Sequence, residues 1–149
     1  ELDSTRFQLI YDNNSTVLEY HASLDYSFDD WYQLDASAHF YQYTLDEIEA
    51  AWHRPEWEIK LNNTFIPDEK WVIHANINAM GGINVLNLAS GNQVKLSTIV
   101  DLHLSANYEI TDRLSVFATG NNLLNQDYQR FNYYPVRGIQ VTGGLGFKF

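Results

Sequence analysis

The chain contains no cysteine, three prolines and nine basic residues in a length of 149, and it has no long apolar run. Without cysteine, neither disulfides nor thiolate metal sites are available. Nine Lys and Arg against nineteen Asp and Glu give a net charge of −10. This balance argues against nucleic acid as a partner, because phosphate binding requires clustered basic side chains. The lack of any run near the roughly 20 apolar residues of a membrane helix excludes that kind of span.

What the chain does contain is strict alternation of apolar and polar residues. In residues 137–149, Val141, Leu145, Phe147 and Phe149 share one parity with Gly143, while polar or glycine residues occupy the other. A strand sends alternate side chains to opposite faces, so this segment predicts a strand with one apolar face. A terminal aromatic residue on that face suits a lipid interface, where aromatic rings concentrate.

Seven further segments repeat this period of two, and no helical period of comparable length occurs. They are residues 7–11, 18–28, 32–40, 57–65, 71–79, 100–110 and 114–118. The chain is therefore expected to be all-β, with about eight antiparallel strands in a single domain spanning residues 1–149 or in a piece of one. At residues 45–51 a short helix is the alternative to a solvated loop.

The connections between these strands sort by length. Short turns at residues 29–30, 67–70 and 111–112 alternate with long connections at 43–56, 81–95 and 125–137, and only the turn at 12–14 breaks the order. Outer-membrane barrels have short periplasmic turns and longer outer loops. The pattern predicts a transmembrane β-barrel in the bacterial outer membrane. A lipocalin-like soluble carrier, with its apolar face turned inward, is the alternative from another class.

Aromatic residues are concentrated near the two ends of the predicted strands, and aliphatic residues fill the middle. This distribution predicts two interfacial girdles. The inner girdle would contain Tyr26, Phe28, Trp31, Tyr32, Phe65, Trp71, Phe147 and Phe149. The outer girdle would contain Phe40, Tyr41, Tyr43, Trp57, Tyr128, Phe131, Tyr133 and Tyr134.

Several stretches resemble the C-terminal barrel of a TonB-dependent outer-membrane receptor. They are residues 111–117 (TDRLSVF), 121–128 (NNLLNQDY), 134–138 (YPVRG) and the terminal strand, and residues 52–55 (WHRP) resemble Bacteroidetes-type members. The resemblance covers residues 52–149 well and the remainder loosely. It implies a receptor that imports an iron chelate, cobalamin or a glycan with energy from TonB, which acts through a plug domain absent from this chain.

Such receptors have about twenty-two strands. The chain is therefore expected to be the last part of a larger barrel, with a self-contained eight-stranded barrel as the alternative. An exported barrel is made with a signal peptide, so the sequence is expected to be mature, trimmed or a fragment.

The last eight residues resemble the C-terminal signal by which outer-membrane barrels are recognised for insertion. The positions that carry the pattern are Thr142, Gly144, Phe147 and Phe149. The resemblance implies the barrel-assembly machinery as a partner, beside outer-membrane lipid.

Ligand contact is predicted on the last outer loop, because outer loops meet substrate first. The candidates are Tyr128, Arg130, Tyr133, Tyr134 and Arg137. No cofactor, catalytic residue or metal site is predicted.

Other polar clusters are better explained by a hydrated lumen or a solvated loop. His21, His39, His74 and His103 lie on the polar parity among carboxylates, as alternation alone would place them. A hydrolase-like set of Ser, His and acid would join His103, Ser105 and Glu109, or His21, Ser23 and Asp25, but no strained nucleophile turn accompanies either. The acidic loop with Asp46, Glu47 and Glu49 offers oxygen ligands for Ca²⁺ or a cationic ligand, but a solvated outer loop is the favoured explanation.

Overall fold

The structure, a computed structural model, describes residues 12–149 and consists of antiparallel strands. Seven of them form the main sheet, in the order β1, β2, β3, β4, β7, β8, β11. Their bounds are Thr16–Phe28, Tyr32–Thr44, Trp57–Phe65, Trp71–Gly81, Ile99–Thr111, Leu114–Asn121 and Gln140–Phe147. The all-β prediction is confirmed for this part of the chain. The strand expected at residues 7–11 lies outside the described residues.

Residues 12–149 contain no helix that is long and apolar enough to cross a membrane. The residues 45–51, for which a short helix was the alternative, form bends and no helix.

Strand register places the apolar residues of all seven strands on one face. Directly opposed residues in antiparallel strands share a face. Ala36 lies opposite Leu61, Leu61 opposite Ile77, and Ile77 opposite Leu102, so the apolar surface crosses the sheet without interruption. Registers of β1 with β2 and of β8 with β11 continue it to both edges.

This apolar face points outward. Leu104 is 39% exposed, Leu145 73% and Phe147 59%. A soluble carrier would instead enclose these side chains in a dry interior. The arrangement contradicts the lipocalin-like alternative and agrees with a face that meets acyl chains.

One polar residue on the apolar face has its hydrogen bonds satisfied. Asn63 accepts a hydrogen bond from the Tyr32 hydroxyl at 2.8 Å and donates one to the Ala75 carbonyl at 3.0 Å. An unpaired amide in hydrocarbon would cost several kcal/mol. The amide of Asn63 is therefore compatible with a lipid-facing position.

Aromatic packing agrees with the predicted inner girdle, and strand register removes residues from the predicted outer one. At the inner edge, Trp31 and Tyr32 both pack on Phe65, and Phe147 packs edge-to-face on Phe149 at 5.3 Å. At the outer edge, the register places Phe40 and Trp57 on the apolar face. The prediction is wrong for Tyr41 and Tyr43, which face the polar side opposite Glu19 and Val17, and for Tyr128, which contacts Asp101 there.

Two small hairpins, which the sequence pattern does not predict, lie in the long connections at residues 81–95 and 125–137. Strands β5 (Asn84–Leu86) and β6 (Gln93–Lys95) form one, and β9 (Gln129–Phe131) and β10 (Tyr134–Pro135) form the other. Strands of two or three residues are too short to produce a readable alternation.

The first of these hairpins contributes to a small buried core on the polar face. Ile83, Val85 and Ile99 are 1–2% exposed and pack with Met80, Leu96 and Tyr128. Met80 lies opposite Ile99 in register, at the outer ends of β4 and β7. The buried core therefore lies under the outer loops rather than within the apolar face.

We expect a charged side chain to be tolerated on the polar face of the paired strands β4 and β7 and to destabilise the protein on their apolar face. Leu104→Arg places a guanidinium on the apolar face near mid-strand and should lower the free energy of unfolding in lipid vesicles by about 2–4 kcal/mol. Asn76→Arg, on the polar face of the adjacent strand, is the matched control and should change it by less than about 1 kcal/mol. Equal costs, measured by urea unfolding, would contradict the assignment of faces.

Candidate functional site

Polar side chains from three neighbouring strands meet on the polar face near its outer end. Register brings Lys60 of β3, Asn78 of β4 and Asp101 of β7 side by side. The second long outer connection and the last one lie over this point. The result is a cavity of about 280 Å³, lined by Glu58, Ile59, Lys60, Asn78, Ala79, Met80, Ile99, Asp101, Tyr128 and Arg130.

Asp101 is the buried acid of this cavity, with 8% of its surface exposed. Its Oδ2 accepts a hydrogen bond from the Tyr128 hydroxyl at 2.7 Å and lies 3.3 Å from Nε2 of His103. Its Oδ1 is buried and has no hydrogen-bond partner among the described residues. A buried carboxylate oxygen without a hydrogen-bond partner is costly, so a donor that reached it from the cavity would be bound favourably.

Tyr128 is held in its protonated form. Burial, followed by the hydrogen bond to the Asp101 carboxylate and its negative charge, raises the pKa of Tyr128 to about 12, against a smaller lowering effect of Arg130. The hydroxyl therefore remains a donor to Asp101 at neutral pH and fixes the last outer loop to β7.

Residues 121–128, which carry the strongest family resemblance, form the anchor of that loop. Asn122 is 4% exposed. Its Nδ2 donates to the carbonyls of Gln126 at 3.1 Å and Arg137 at 3.0 Å, and its Oδ1 accepts from the Gln126 amide at 3.1 Å. This one side chain thus joins the two ends of the last long connection.

The same segment completes the edge of β7 beyond the end of β8. The amide of Leu123 donates to the Leu102 carbonyl at 3.0 Å. The Gln126 side chain accepts from the Val100 amide at 2.6 Å and donates to the Thr98 carbonyl at 2.8 Å. Gln126 therefore satisfies backbone groups that a neighbouring strand would otherwise pair.

Of the five residues predicted to contact ligand, two line the cavity and three lie on the exposed part of the last loop. Tyr128 and Arg130 line the cavity. Tyr133 is 55% exposed, and its hydroxyl accepts from the Leu88 amide at 3.3 Å in the β5–β6 hairpin. Tyr134 is 74% exposed, and Arg137 is exposed while its carbonyl is bound by Asn122. Their role in ligand contact stays a prediction.

The polar-face histidines bind neighbours that differ from the hydrolase-like sets. His103 Nδ1 lies 3.0 Å from Oδ1 of Asn121, and its other nitrogen faces Asp101 rather than Ser105. His74 Nδ1 lies 3.0 Å from the Thr64 hydroxyl. Within residues 12–149, no group of three His, Cys, Asp or Glu is placed to hold a metal ion.

No protein-family model matches the chain, and no curated protein matches it. Solved structures do match. The chain superposes on the ferripyoverdine receptor of the Pseudomonas aeruginosa outer membrane with a TM-score of 0.77 and 16% identity, over 91% of this chain and 20% of that one.

Two further matches are similar. The siderophore receptor PiuA from Acinetobacter baumannii gives a TM-score of 0.74 and 13% identity, over 91% of this chain and 22% of that one. The ferric-catecholate import receptor Fiu from E. coli K12 gives 0.73 and 13%, over 89% and 21%. The chain has the fold of an outer-membrane receptor barrel.

This result confirms, at the level of fold, the predicted barrel and the resemblance to TonB-dependent receptors. The chain spans about a fifth of the length of the receptor chains that it matches. In such a fold the polar face of the sheet is the lumen face, and the cavity beside Asp101 lies in the lumen near the outer rim.

The sequence pattern alone does not single out Glu58 and Lys60 of the lumen cavity. Both lie on the polar parity of a recognised strand, but parity alone gives no information on which residues of different strands meet. The register of β3 against β4 and of β4 against β7 supplies that information.

Two asparagines of the anchor allow its hydrogen bonds to be tested. Asn122 and Asn125 share a φ of 49°, so replacing either by Ala imposes the same backbone strain. Only Asn122→Ala also removes the three side-chain hydrogen bonds, and its free energy of unfolding should fall about 2–3 kcal/mol further than that of Asn125→Ala.

Urea unfolding of the protein in detergent, together with trypsin cleavage at Arg130 and Arg137 in the last loop, measures the difference. Faster cleavage in Asn122→Ala than in Asn125→Ala is expected. Equal stability and equal cleavage in the two variants would contradict the anchor role.

Proposed function

We propose that this chain forms part of the wall of a larger outer-membrane receptor barrel that imports a nutrient with energy supplied by TonB. The observation that carries the proposal is the seven-stranded sheet with an outward apolar face, which superposes over 91% of the chain on about a fifth of a siderophore receptor. Uptake rather than catalysis is the proposed role, since the matched structures are receptors.

The open edges of the sheet support a larger barrel. Within residues 12–149, β1 pairs with β2 alone and β11 pairs with β8 alone. In hydrocarbon each unsatisfied N–H or C=O costs several kcal/mol, so a sheet that spans a membrane must close. Further strands of the same barrel would satisfy both edges. A self-contained eight-stranded barrel would need a single strand to join β1 to β11.

The nutrient class follows from the family resemblance: an iron chelate, cobalamin or a glycan. Of the matched structures, one is a ferripyoverdine receptor with ferripyoverdine bound, and another is a ferric-catecholate import receptor. TonB would act through a plug domain of the receptor. The proposed partners of the chain itself are outer-membrane lipid and the barrel-assembly machinery, with Tyr128, Arg130, Tyr133, Tyr134 and Arg137 as the proposed ligand contacts.

We also propose that Thr142, Gly144, Phe147 and Phe149 act as the insertion signal. The position of Gly144 has a packing reason as well: a Cβ there would lie 2.8 Å from the ring of Phe117, which crosses the glycine on the lumen face. Phe147 and Phe149, in contrast, are 59% and 112% exposed on the outward side.

Epitope tags on opposite ends of the strands test the orientation of the barrel. A tag inserted in the β5–β6 turn at Ser90 should bind antibody on intact cells, because long connections lie outside. A tag in the turn at Asp68 should bind only after the outer membrane is permeabilised. The opposite pattern would contradict the orientation. Loss of nutrient uptake in a strain without TonB tests the energy source.

Substitutions at Gly144 test whether this glycine is required for packing against Phe117 or for recognition as part of the insertion signal. Gly144→Ala forces a methyl group against Phe117 and should destabilise the folded barrel by about 1–3 kcal/mol. Adding Phe117→Ala removes the ring, so the double variant should recover most of the folded, heat-modifiable protein in outer-membrane fractions. Leu145→Ala, on the other face, is the control. A double variant as poor as Gly144→Ala would show that packing against Phe117 is not the reason for the glycine.

A further inference from the structure

Met80, the single methionine of the sequence, lies at the outer end of β4 between an apolar core and a cavity. On one side its partly buried side chain packs against the core of Ile83, Val85 and Ile99, which are 1–2% exposed. On the other side it lines the lumen cavity of about 280 Å³. The thioether of Met80 is therefore the point at which the core borders the lumen.

Water and small solutes reach this cavity, because two of the residues that line it, Lys60 and Arg130, are exposed. A thioether is readily oxidised to its sulfoxide, whereas the aliphatic side chains packed with it are not. Oxidation turns a flexible apolar side chain into a polar one and is known to disrupt apolar cores. An oxidant in the lumen would thus act on the core at Met80.

The core around this methionine holds two outer connections in place. Ile83 lies at the base of the β5–β6 hairpin, where its carbonyl accepts a hydrogen bond from the Leu96 amide at 2.8 Å. Tyr128 brings the last connection to the same core. The Nδ2 of Asn132, in the β9–β10 hairpin, donates to the Leu86 carbonyl at 2.8 Å and joins the two hairpins. A change in the core would therefore be felt in both loops.

We propose that Met80 is a redox-sensitive modification site whose oxidation loosens the two outer hairpins, a role that goes beyond nutrient uptake. The oxidant is hydrogen peroxide. A lone pair of the sulfur attacks one peroxide oxygen, an S–O bond forms and the O–O bond breaks. The departing hydroxide takes the proton of the transferred hydroxyl and becomes water. Methionine loses two electrons, and the peroxide gains them.

The sulfoxide oxygen is unfavourable in the core and favourable in the cavity. Among Ile83 and Ile99 it would lack a hydrogen-bond donor, and an unpaired polar group in apolar surroundings is costly. Across the cavity, Lys60 and Arg130 carry donors and no acceptor. The oxidised side chain therefore turns toward the cavity, and the core beneath the hairpins loses one of its members.

The test uses the complete receptor that carries this chain, purified in detergent and treated with increasing concentrations of hydrogen peroxide. Peptide mass spectrometry measures the fraction of Met80 converted to sulfoxide, and trypsin cleavage at Arg130 and Arg137 reports the order of the last loop. Cleavage there should become at least about fivefold faster as the sulfoxide accumulates, because the loop opens more often.

Two controls belong to the same experiment. Cleavage at Arg113, in the short turn at the opposite end of the sheet, should keep its rate. Methionine sulfoxide reductases specific for each of the two sulfoxide epimers should together restore slow cleavage of the last loop.

Two variants assign the effect to the sulfur of Met80. Met80→Leu keeps the size of the side chain but cannot be oxidised, so its loop should be cleaved slowly at every peroxide concentration. Met80→Gln places a polar amide where the sulfoxide would lie and should be cleaved rapidly without oxidant. Heat-modifiable migration reports the assembly of each variant beforehand. If Met80→Gln does not assemble, the parent and Met80→Leu under peroxide still decide the question.

Three results would overturn the inference. Met80 could stay reduced at peroxide concentrations that fully oxidise it in the unfolded receptor. Cleavage of the last loop could keep its rate after Met80 is oxidised, or it could accelerate equally in Met80→Leu. A receptor that assembles and takes up a nutrient through TonB would leave the proposed function intact in each of these cases.

Discussion

Backbone hydrogen bonding in an apolar surrounding is the constraint on which the rest of the structure depends. Every N–H and C=O of a sheet in hydrocarbon must be paired, so each strand needs two neighbours. The five inner strands meet this requirement within the described residues, and β1 and β11 each leave one edge open. Strand register then makes one face of the sheet continuously apolar and the other mainly polar. The same requirement extends to β7 beyond the end of β8, where Gln126 provides the missing partners from a side chain.

The polar face gains its specific chemistry from the outer loops. Ile83, Val85 and Ile99 form a buried core beneath the second long connection, and Tyr128 of the last connection binds Asp101. These contacts hold two loops over the lumen without a disulfide, in a chain that has no cysteine. The exposed side chains of Lys60 and Arg130, which line the lumen cavity, are left available for a ligand.

Much of the fold could be predicted because alternation is a local property. Strand β3 begins and ends where the pattern of residues 57–65 places it, and the sixth predicted strand, 100–110, falls within β7. The candidate site was harder to predict, because it depends on register between distant segments. Alternation places Asp101 on the polar parity of its strand, but its contact with Tyr128 joins positions 27 residues apart. Tyr41 and Tyr43 lie on the polar parity of β2, so they face the lumen although aromatic residues at strand ends usually favour the lipid interface.

The most direct test of the central claim is a scan of solvent accessibility along β7. The absence of cysteine allows single cysteines at residues 100–108 to be spin-labelled one at a time in the membrane-embedded protein. Oxygen partitions into lipid and a charged nickel chelate into water. The account predicts a period of two, with oxygen accessibility highest at Val100, Leu102, Leu104 and Ala106 and chelate accessibility highest at His103, Ser105 and Asn107. Uniform accessibility along the strand, or the reverse alternation, would contradict it.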